Sequence, residues 1–572
     1  MTLAELHARG LVELLDLELA RALCRIAKTD DEDTALAIAL TSRSVRQGHS
    51  CFPMRLSDDQ IWPAERSLSG ALPERSSWIQ TLASSPLCKR GPLVLDSDGH
   101  LYLRRYWELE QRIASTLAAR SGTVSLDQPP EDARDERLGR LFPDGPSSPG
   151  AHAARTALAH RISLLCGGPG TGKTTAVAAI LAVLIEEAGT RAEPAPSILL
   201  LAPTGKAAAR LGDAVRRAKS GIDAPATVLD AIPTDASTVQ RALGMRSSGM
   251  RFSRNADRPL EADVVVVDEA SMIDLALMNQ LLQATRPDAR LIIVGDPNQL
   301  TSVEAGSVLQ DLVTAGSQTW WKNRMTTLTK TYRYDATRPL GTMIEAVRAG
   351  DRERVEGLLE ESRQEDIVWS PGENLAEELD RSAQRWASIV ETTDAEEHFK
   401  KREEYVVLSP FRKGPRGTRR LGAAIQERLT GRGSSSALAH PILIEENSNE
   451  LRVYNGDFAM IREGEMRTGY IQGEEGNARA IAEARLPRYS DAYALSVHKA
   501  QGSEFDEVLL ILPDEDAPLL NRELLYTALS RARQRVRIVS PKEVLLSALA
   551  RRARRHSGLI PALGHAAPTK HI

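Results

Sequence analysis

The octapeptide Gly167-Gly168-Pro169-Gly170-Thr171-Gly172-Lys173-Thr174 follows an apolar run, Ile162 to Cys166, and opens directly into a helical pattern, Ala176 to Glu187. This feature constrains the fold most. Backbone N–H groups and a helix N-terminus must converge on one anion, which calls for a buried strand, a tight turn and a helix in that order. The four glycines let the backbone approach, Pro169 and Thr171 complete the loop, and Thr175 follows in the first helical turn. Lys173 reaches the β- and γ-phosphates, and the Thr174 hydroxyl ligates Mg²⁺. ATP with Mg²⁺ is the expected ligand.

Two further segments repeat the strand-then-polar design. Val264 to Val267 delivers Asp268 to the metal and Glu269 to the attacking water. Leu291 to Val294 leads into Gly295-Asp296-Pro297-Asn298-Gln299-Leu300, where Gln299 is placed to sense the γ-phosphate. With Ile198 to Ala202 these runs read as strands buried on both faces of a parallel sheet. A second set follows at Tyr405 to Leu408, Tyr493 to Val497, Val508 to Leu512 and Val536 to Val539, so two α/β domains are expected. The second carries no phosphate loop but two unusual segments. Ser496 to Phe505 (SVHKAQGSEF) reads as a strand-to-helix junction, and Leu525 to Arg533 (LYTALSRAR) as a helix ending in two arginines. A second domain that lends Arg to a nucleotide held by the first makes a cleft that closes on ATP. Arg531 is assigned that role and Arg333 is a second γ-phosphate contact.

A chain of 572 residues needs three or four domains. Residues 1–110 read as a mostly helical docking domain, with Leu11, Leu14, Leu15, Leu19, Leu23 and Ile26 as one core stripe and Ala35 to Leu40 opening a second helix. Residues 111–150 read as a linker that ends in a Pro- and Gly-rich run. The first α/β domain is placed at 151–325 and the second at 326–550, with a small β insertion at about 430–490. A basic tail at 551–572 is expected to fray. The formal charge is −4, so any polyanion must be held in local basic grooves, and aromatics at 4% offer little stacking platform. The four cysteines are scattered and read as isolated thiols. The opening MTLAE reads as no signal peptide, and a reducing cytoplasm is the expected location.

The ordered series GGPGTGKT, APTGKA, VDEASM, GDPNQL, TYR, SVHKAQGSEF and YTALSRAR, spanning about residues 160 to 540, resembles the motif series of superfamily 1B DNA helicases. That resemblance implies two RecA-like P-loop domains with an SH3-like insertion. It places Pro203, Thr204, Gly205, Lys206, Thr238 and Gln240 on the first domain, and Ser496, His498 and Gln501 on the second, facing single-stranded DNA or coupling it to ATP. A strand-separating pin would lie at about 244–261. Within the group, Gly48-His49-Ser50-Cys51-Phe52-Pro53-Met54, with the segments 92–96 and 101–107, is similar to the RecD family. These are the motor subunits of bacterial RecBCD enzymes, which unwind broken DNA ends for recombination. The resemblance implies 5′→3′ movement, RecB and RecC as partners, and docking through the amino-terminal region; the residues themselves show no metal-dependent nuclease cluster, so any DNA degradation is expected to come from a partner. It departs at two points: Gly150 and Ala151 fall where a Gln ahead of the phosphate loop is usual, and Gln240 stands where a His is common. A stand-alone repair helicase, and an assembly subunit with a regulatory ATP site, remain the alternatives.

Overall fold

The computed structural model describes residues 2–61, 72–122, 131–245, 252–316, 320–333, 338–361, 366–431, 439–448, 450–464, 466–472 and 477–566. The amino-terminal part begins with helices that include α1 (Leu14–Ala27) and α2 (Glu32–Arg46). It also contains a three-stranded antiparallel sheet, order β1-β3-β2, made of β1 (Phe52–Pro53), β2 (Leu93–Leu95) and β3 (His100–Leu103). The expected stripe on α1 needs correction. Leu17, Ala20, Leu23 and Cys24 pack inward with Leu36 to Leu40 of α2, whereas Leu14, Leu15 and Ile26 are 59%, 62% and 73% exposed. The helix carries apolar residues on two faces, and the one with Leu17, Ala20, Leu23 and Cys24 is the buried one.

The segment expected as a linker is built into the first α/β unit. Helix α3 (Arg104–Ala119) buries Leu109, Ile113 and Leu117 on one side of its sheet. Helices α4 (Glu131–Leu141) and α5 (Pro149–Ala159) bury Leu138, Leu141 and Ala154 on the other. Each fully buried leucine contributes about 1.5–3 kcal/mol, so these helices are core.

The first sheet is parallel throughout, order β6-β5-β7-β8-β4-β9. Its strands are β4 (Ile162–Gly167), β5 (Ile198–Ala202), β6 (Ala236–Thr238), β7 (Val264–Val267), β8 (Arg290–Gly295) and β9 (Met325–Leu328). Helices α6 (Lys173–Thr190), α7 (Gly205–Lys219) and α8 (Leu275–Ala284) flank it. Because β9 pairs with β4, the expected boundary at 325/326 falls inside a strand of this sheet.

After α9 (Pro339–Ala349) comes a second parallel sheet, order β10-β19-β18-β11-β17. It comprises β10 (Ile367–Ser370), β11 (Tyr405–Ser409), β17 (Leu495–Ser496), β18 (Phe505–Ile511) and β19 (Ala532–Val539). Between β11 and β17 lies the expected insertion, an antiparallel sheet ordered β15-β14-β13-β12-β16. Its strands are β12 (His440–Ile444), β13 (Phe458–Arg462), β14 (Thr468–Gln472), β15 (Ala478–Ala482) and β16 (Tyr489–Asp491). Two local expectations change here. Ser496 to Phe505 joins β17 to strand β18 through a 3₁₀ turn, not to a helix. Helix α10 (Arg522–Leu529) stops before Ser530, so Arg531 lies in the turn and Arg533 in β19.

The tail does not fray over its described residues. After α11 (Lys542–Ala550) the chain crosses back to the first unit, where α12 (Leu559–His565) buries Leu559 and Leu563 in the same cluster as α3. Arginines at 551–555 give the tail its charge, but these two leucines one turn apart set its place. All four cysteines are free, and no described helix is long and apolar enough to cross a membrane.

Candidate functional site

The carboxyl ends of the first sheet's strands meet at the phosphate loop, where ligands of open parallel sheets bind. Gly170 and Gly172 hold φ of +73° and +78°, and a Cβ at 170 would lie 2.1 Å from that of Arg333. Only glycine fits such a turn without strain. The loop ends as α6 begins at Lys173, so the unpaired first-turn amides face the loop's interior. Lys173 Nζ donates to the Gly167 and Gly168 carbonyls, each at 2.8 Å, and Thr171 Oγ1 donates to Gly168 O at 2.9 Å. Phosphate oxygens are charged and so stronger acceptors for the same ammonium. Pro169, Lys173, Thr174 and Thr175 all line the cavity that opens from the loop.

Strand β7 carries Asp268 and Glu269 to the same cavity. Burial and the neighbouring Glu269 push the Asp268 carboxyl up to about 6, with Lys173 pulling the other way. A cation beside it would restore the ionised form. Glu269 adopts φ +51°, a left-handed backbone that a non-glycine residue holds at a cost of about 1–3 kcal/mol. Its amide donates to Asp268 Oδ1 at 2.8 Å. From β8, fully buried Asp296 accepts from Gln299 Nε2 at 3.2 Å and from the Tyr526 hydroxyl at 3.0 Å. Gln299 Oε1 is buried and has no partner among the described residues, although the side chain lines the cavity. An acceptor left open in this way is matched to a donor such as a water.

The cavity, of about 790 Å³, lies between the two α/β units. Arg333 from the first pairs with Glu504 of the second, and Arg210 of α7 donates to the Gly502 carbonyl. Leu300 N donates to Thr527 Oγ1 at 2.9 Å, and Gln501 Nε2 donates to Leu300 O at 3.1 Å. Arg531, 3% exposed, is fixed by Thr527 O at 3.0 Å, Ser503 O at 3.2 Å and Ser530 Oγ at 3.1 Å. Burial pulls the Arg531 and Arg210 guanidinium groups down. Burial pushes the Glu504 carboxyl up, but Arg333, Arg210, Arg531 and Arg533 outweigh it and hold it below its ordinary value. Eight Lys and Arg side chains line the cavity against six Asp and Glu, a modest basic excess that suits a polyphosphate.

The residues expected to face DNA divide. Pro203, Thr204, Gly205 and Lys206 occupy the turn from β5 into α7, and Thr238 ends β6. The hydroxyls of Thr204 and Thr238 cap helices, accepting from Ala207 N at 3.2 Å and Arg241 N at 3.1 Å. Gln240 Oε1 is buried without a partner among the described residues. The insertion covers this turn: a Cβ on Gly205 would meet Tyr454 Cβ at 2.6 Å, and Arg241 donates to the Tyr454 hydroxyl at 3.3 Å. Lys206 Nζ stands 3.8 Å over the Phe458 ring, and burial drives its pKa well down. On the second unit, Ser496 Oγ accepts from Lys499 N at 3.3 Å. His498 is half-buried, with burial and Arg555 pulling its pKa down. Gln501 instead reaches across to the first unit, where it donates to the Leu300 carbonyl. The expected pin is represented by a Met245–Phe252 bridge, and 246–251 lie outside the described residues. Arg210 and Glu504 in the cleft, and Tyr526 beside it on Asp296, are among the residues that carried no sequence assignment. Arg210 had a signal, one helical turn after Lys206; Tyr526 and Glu504 lay inside quoted motifs without a role.

Family models agree with this layout. The RecBCD enzyme subunit RecD N-terminal domain matches residues 8–102, an AAA domain matches 151–305 and the UvrD-like helicase C-terminal domain matches 491–539. The chain is 38% identical to the RecBCD enzyme subunit RecD of Mycobacterium tuberculosis, over 96% of this chain and 94% of that protein. It is 36% identical to the subunit of that name from Mycolicibacterium smegmatis, over 98% of each. It is 33% identical to the ATP-dependent RecD2 DNA helicase of Deinococcus radiodurans, over 77% of this chain and 55% of that protein. Among solved structures, Pif1 helicase from Candida albicans aligns with 73% of this chain at 16% identity and a TM-score of 0.41.

Proposed function

This chain belongs to the RecD family of RecBCD enzyme subunits and is an ATP-dependent DNA helicase, and from that premise we propose how its residues drive 5′→3′ movement on single-stranded DNA. The carrying observation is the cleft itself, where the phosphate loop and both acids of one α/β unit face Arg531 of the other across a single cavity. ATP is held by the loop amides and Lys173. Glu269 orients and deprotonates the attacking water, Gln299 Oε1 accepts from that water, and Arg333 and Arg531 meet the charge that develops on the γ-phosphate. Mg²⁺, which the donors Thr174 and Asp268 suit, would supply charge neutralisation on the phosphates. ATP draws the units together and hydrolysis lets them part. Alternating grip by the Pro203–Lys206 turn and the Ser496–His498 turn then converts each cycle into a step.

The direct test is unwinding of 5′-tailed and 3′-tailed duplexes by the full chain, alone and with RecB and RecC supplied. Separation of the 5′-tailed duplex alone, lost in Lys173→Ala, is expected. Opening of only the 3′-tailed duplex would reverse the polarity. DNA-dependent hydrolysis without unwinding in any assembly would favour the regulatory-subunit alternative.

For the partners, the exposed face of α1 is the supporting observation. Leu14, Leu15 and Ile26 present exposed apolar surface on the outside of the amino-terminal core, uncovered among the described residues. We assign this face to contact with RecC. Leu14→Glu with Leu15→Glu should weaken co-purification of RecB and RecC by at least about tenfold, since charged groups in an interface core cost several kcal/mol. Hydrolysis by the isolated chain should be unchanged. Undiminished assembly would place the docking face elsewhere.

A further inference from the structure

Arg555 lies in the stretch that returns from the second unit, outside the motifs and outside the cleft. Its guanidinium bonds four backbone carbonyls: Gly48 at 3.1 Å in the amino-terminal domain, and Ser302, Glu304 and Gly306, the last at 3.1 Å, in the loop that follows Gln299. The same Gly48 carbonyl accepts from Gly306 N at 2.9 Å. Gly48 holds φ +89°, and a Cβ there would sit 2.5 Å from the Arg555 guanidinium carbon, so any larger residue strains the backbone and pushes the guanidinium aside. The junction is tied further by Ser50 N to His556 O at 3.0 Å and by His556 N to His49 Nδ1 at 2.9 Å.

The clamped loop is short, and its other end is the nucleotide sensor. Gln299 carries the open acceptor, Leu300 touches Thr527 and Gln501 of the second unit, and Ser302 is already in the grip of Arg555. A shift of Gln299 towards a γ-phosphate therefore pulls on a segment with no slack before it reaches Gly48. Packed, hydrogen-bonded segments of this kind pass displacement to the next bonded element instead of absorbing it.

We propose that Arg555 is a positioning residue that couples nucleotide occupancy at Gln299 to the amino-terminal domain, so that the docking region reads the state of the ATP site. The proposal rests on the nucleotide reading of the cleft given above. Coupling is reciprocal: a partner that restrains the Gly48 segment also restrains Gln299.

The test is amide hydrogen exchange on the full chain with and without a non-hydrolysable ATP analogue and Mg²⁺. In the wild type, peptides covering 167–175 and 46–52 should both exchange more slowly with the analogue, the second by at least about fivefold, the lower end of ordinary allosteric couplings. Arg555→Ala should keep the response at 167–175 and lose it at 46–52. Arg555→Lys, which retains charge but cannot span four carbonyls, should lose most of it. Gly48→Ala, which displaces the guanidinium from the other side, should behave like Arg555→Ala. Gln299→Ala should abolish the distant response while the phosphate-loop response remains. Thermal melting separates loss of coupling from loss of fold. A wild-type response confined to 167–175, or a response at 46–52 that survives in a folded Arg555→Ala chain, overturns the coupling alone. No response at 167–175 overturns the nucleotide reading and the coupling with it.

Discussion

Replacing Arg531 with alanine is expected to lower DNA-stimulated ATP hydrolysis by about 10³–10⁵-fold, the range for removing an arginine that meets transition-state charge. Nucleotide affinity should change far less, because the loop amides and Lys173 remain. Arg531 is held in the turn after α10 by three hydrogen bonds within its own unit, so it is placed before the nucleotide arrives. Preorganised charge of this kind needs no rearrangement at the moment of reaction. The substitution also strips the donor from the Ser503 carbonyl, at about 1–3 kcal/mol for a buried group left unpaired, while the Thr527 carbonyl keeps the Ser530 hydroxyl. Melting must therefore be recorded beside the rate. Arg531→Lys keeps the charge without the fork and should recover little activity. A folded Arg531→Ala chain hydrolysing within tenfold of wild type would show that the residue only braces the turn.

Glu269→Gln should lower hydrolysis by about 10²–10⁴-fold, the usual contribution of a positioned general base. The change is isosteric, and glutamine carries the same left-handed backbone strain as glutamate, so the fold should be unaffected. Removing the Glu269 charge also relieves one of the causes that push the Asp268 carboxyl up. Affinity for the nucleotide with Mg²⁺ should accordingly hold or tighten while turnover collapses, measured by equilibrium binding beside steady-state rates. Weakened binding with turnover intact would move Glu269 from base to ligand.

What the sequence disclosed depended on how local the cause was. β5 and β7 are Ile198–Ala202 and Val264–Val267, apolar runs without alternation, the first stopped by Pro203 and the second bounded by Asp263 and Asp268. The phosphate loop was legible because its glycines, lysine and helix start are neighbours in the chain. The outer face of α1 was not, because two apolar stripes on one helix do not say which is covered. Arg531 was named from the motif, but the end of α10 at Leu529 and the entry of Arg533 into β19 follow from sheet pairing with β18. Arg555 was read as part of a charged tail; its bond to Gly48 spans 507 residues, and no local pattern records such a contact.

The return of the carboxyl-terminal segment changes what kind of machine the cleft belongs to. The second α/β unit is not hung from the first by one strand of chain. It leaves after β9 and comes back through Arg551 to Ser557 into α12, whose Leu559 and Leu563 are locked into the first unit's core. A body pinned at two separate points cannot swing freely. Two connections leave it fewer ways to move than a single one would. For a motor that must advance by the same increment each cycle, that narrower range of motion favours a repeatable stroke.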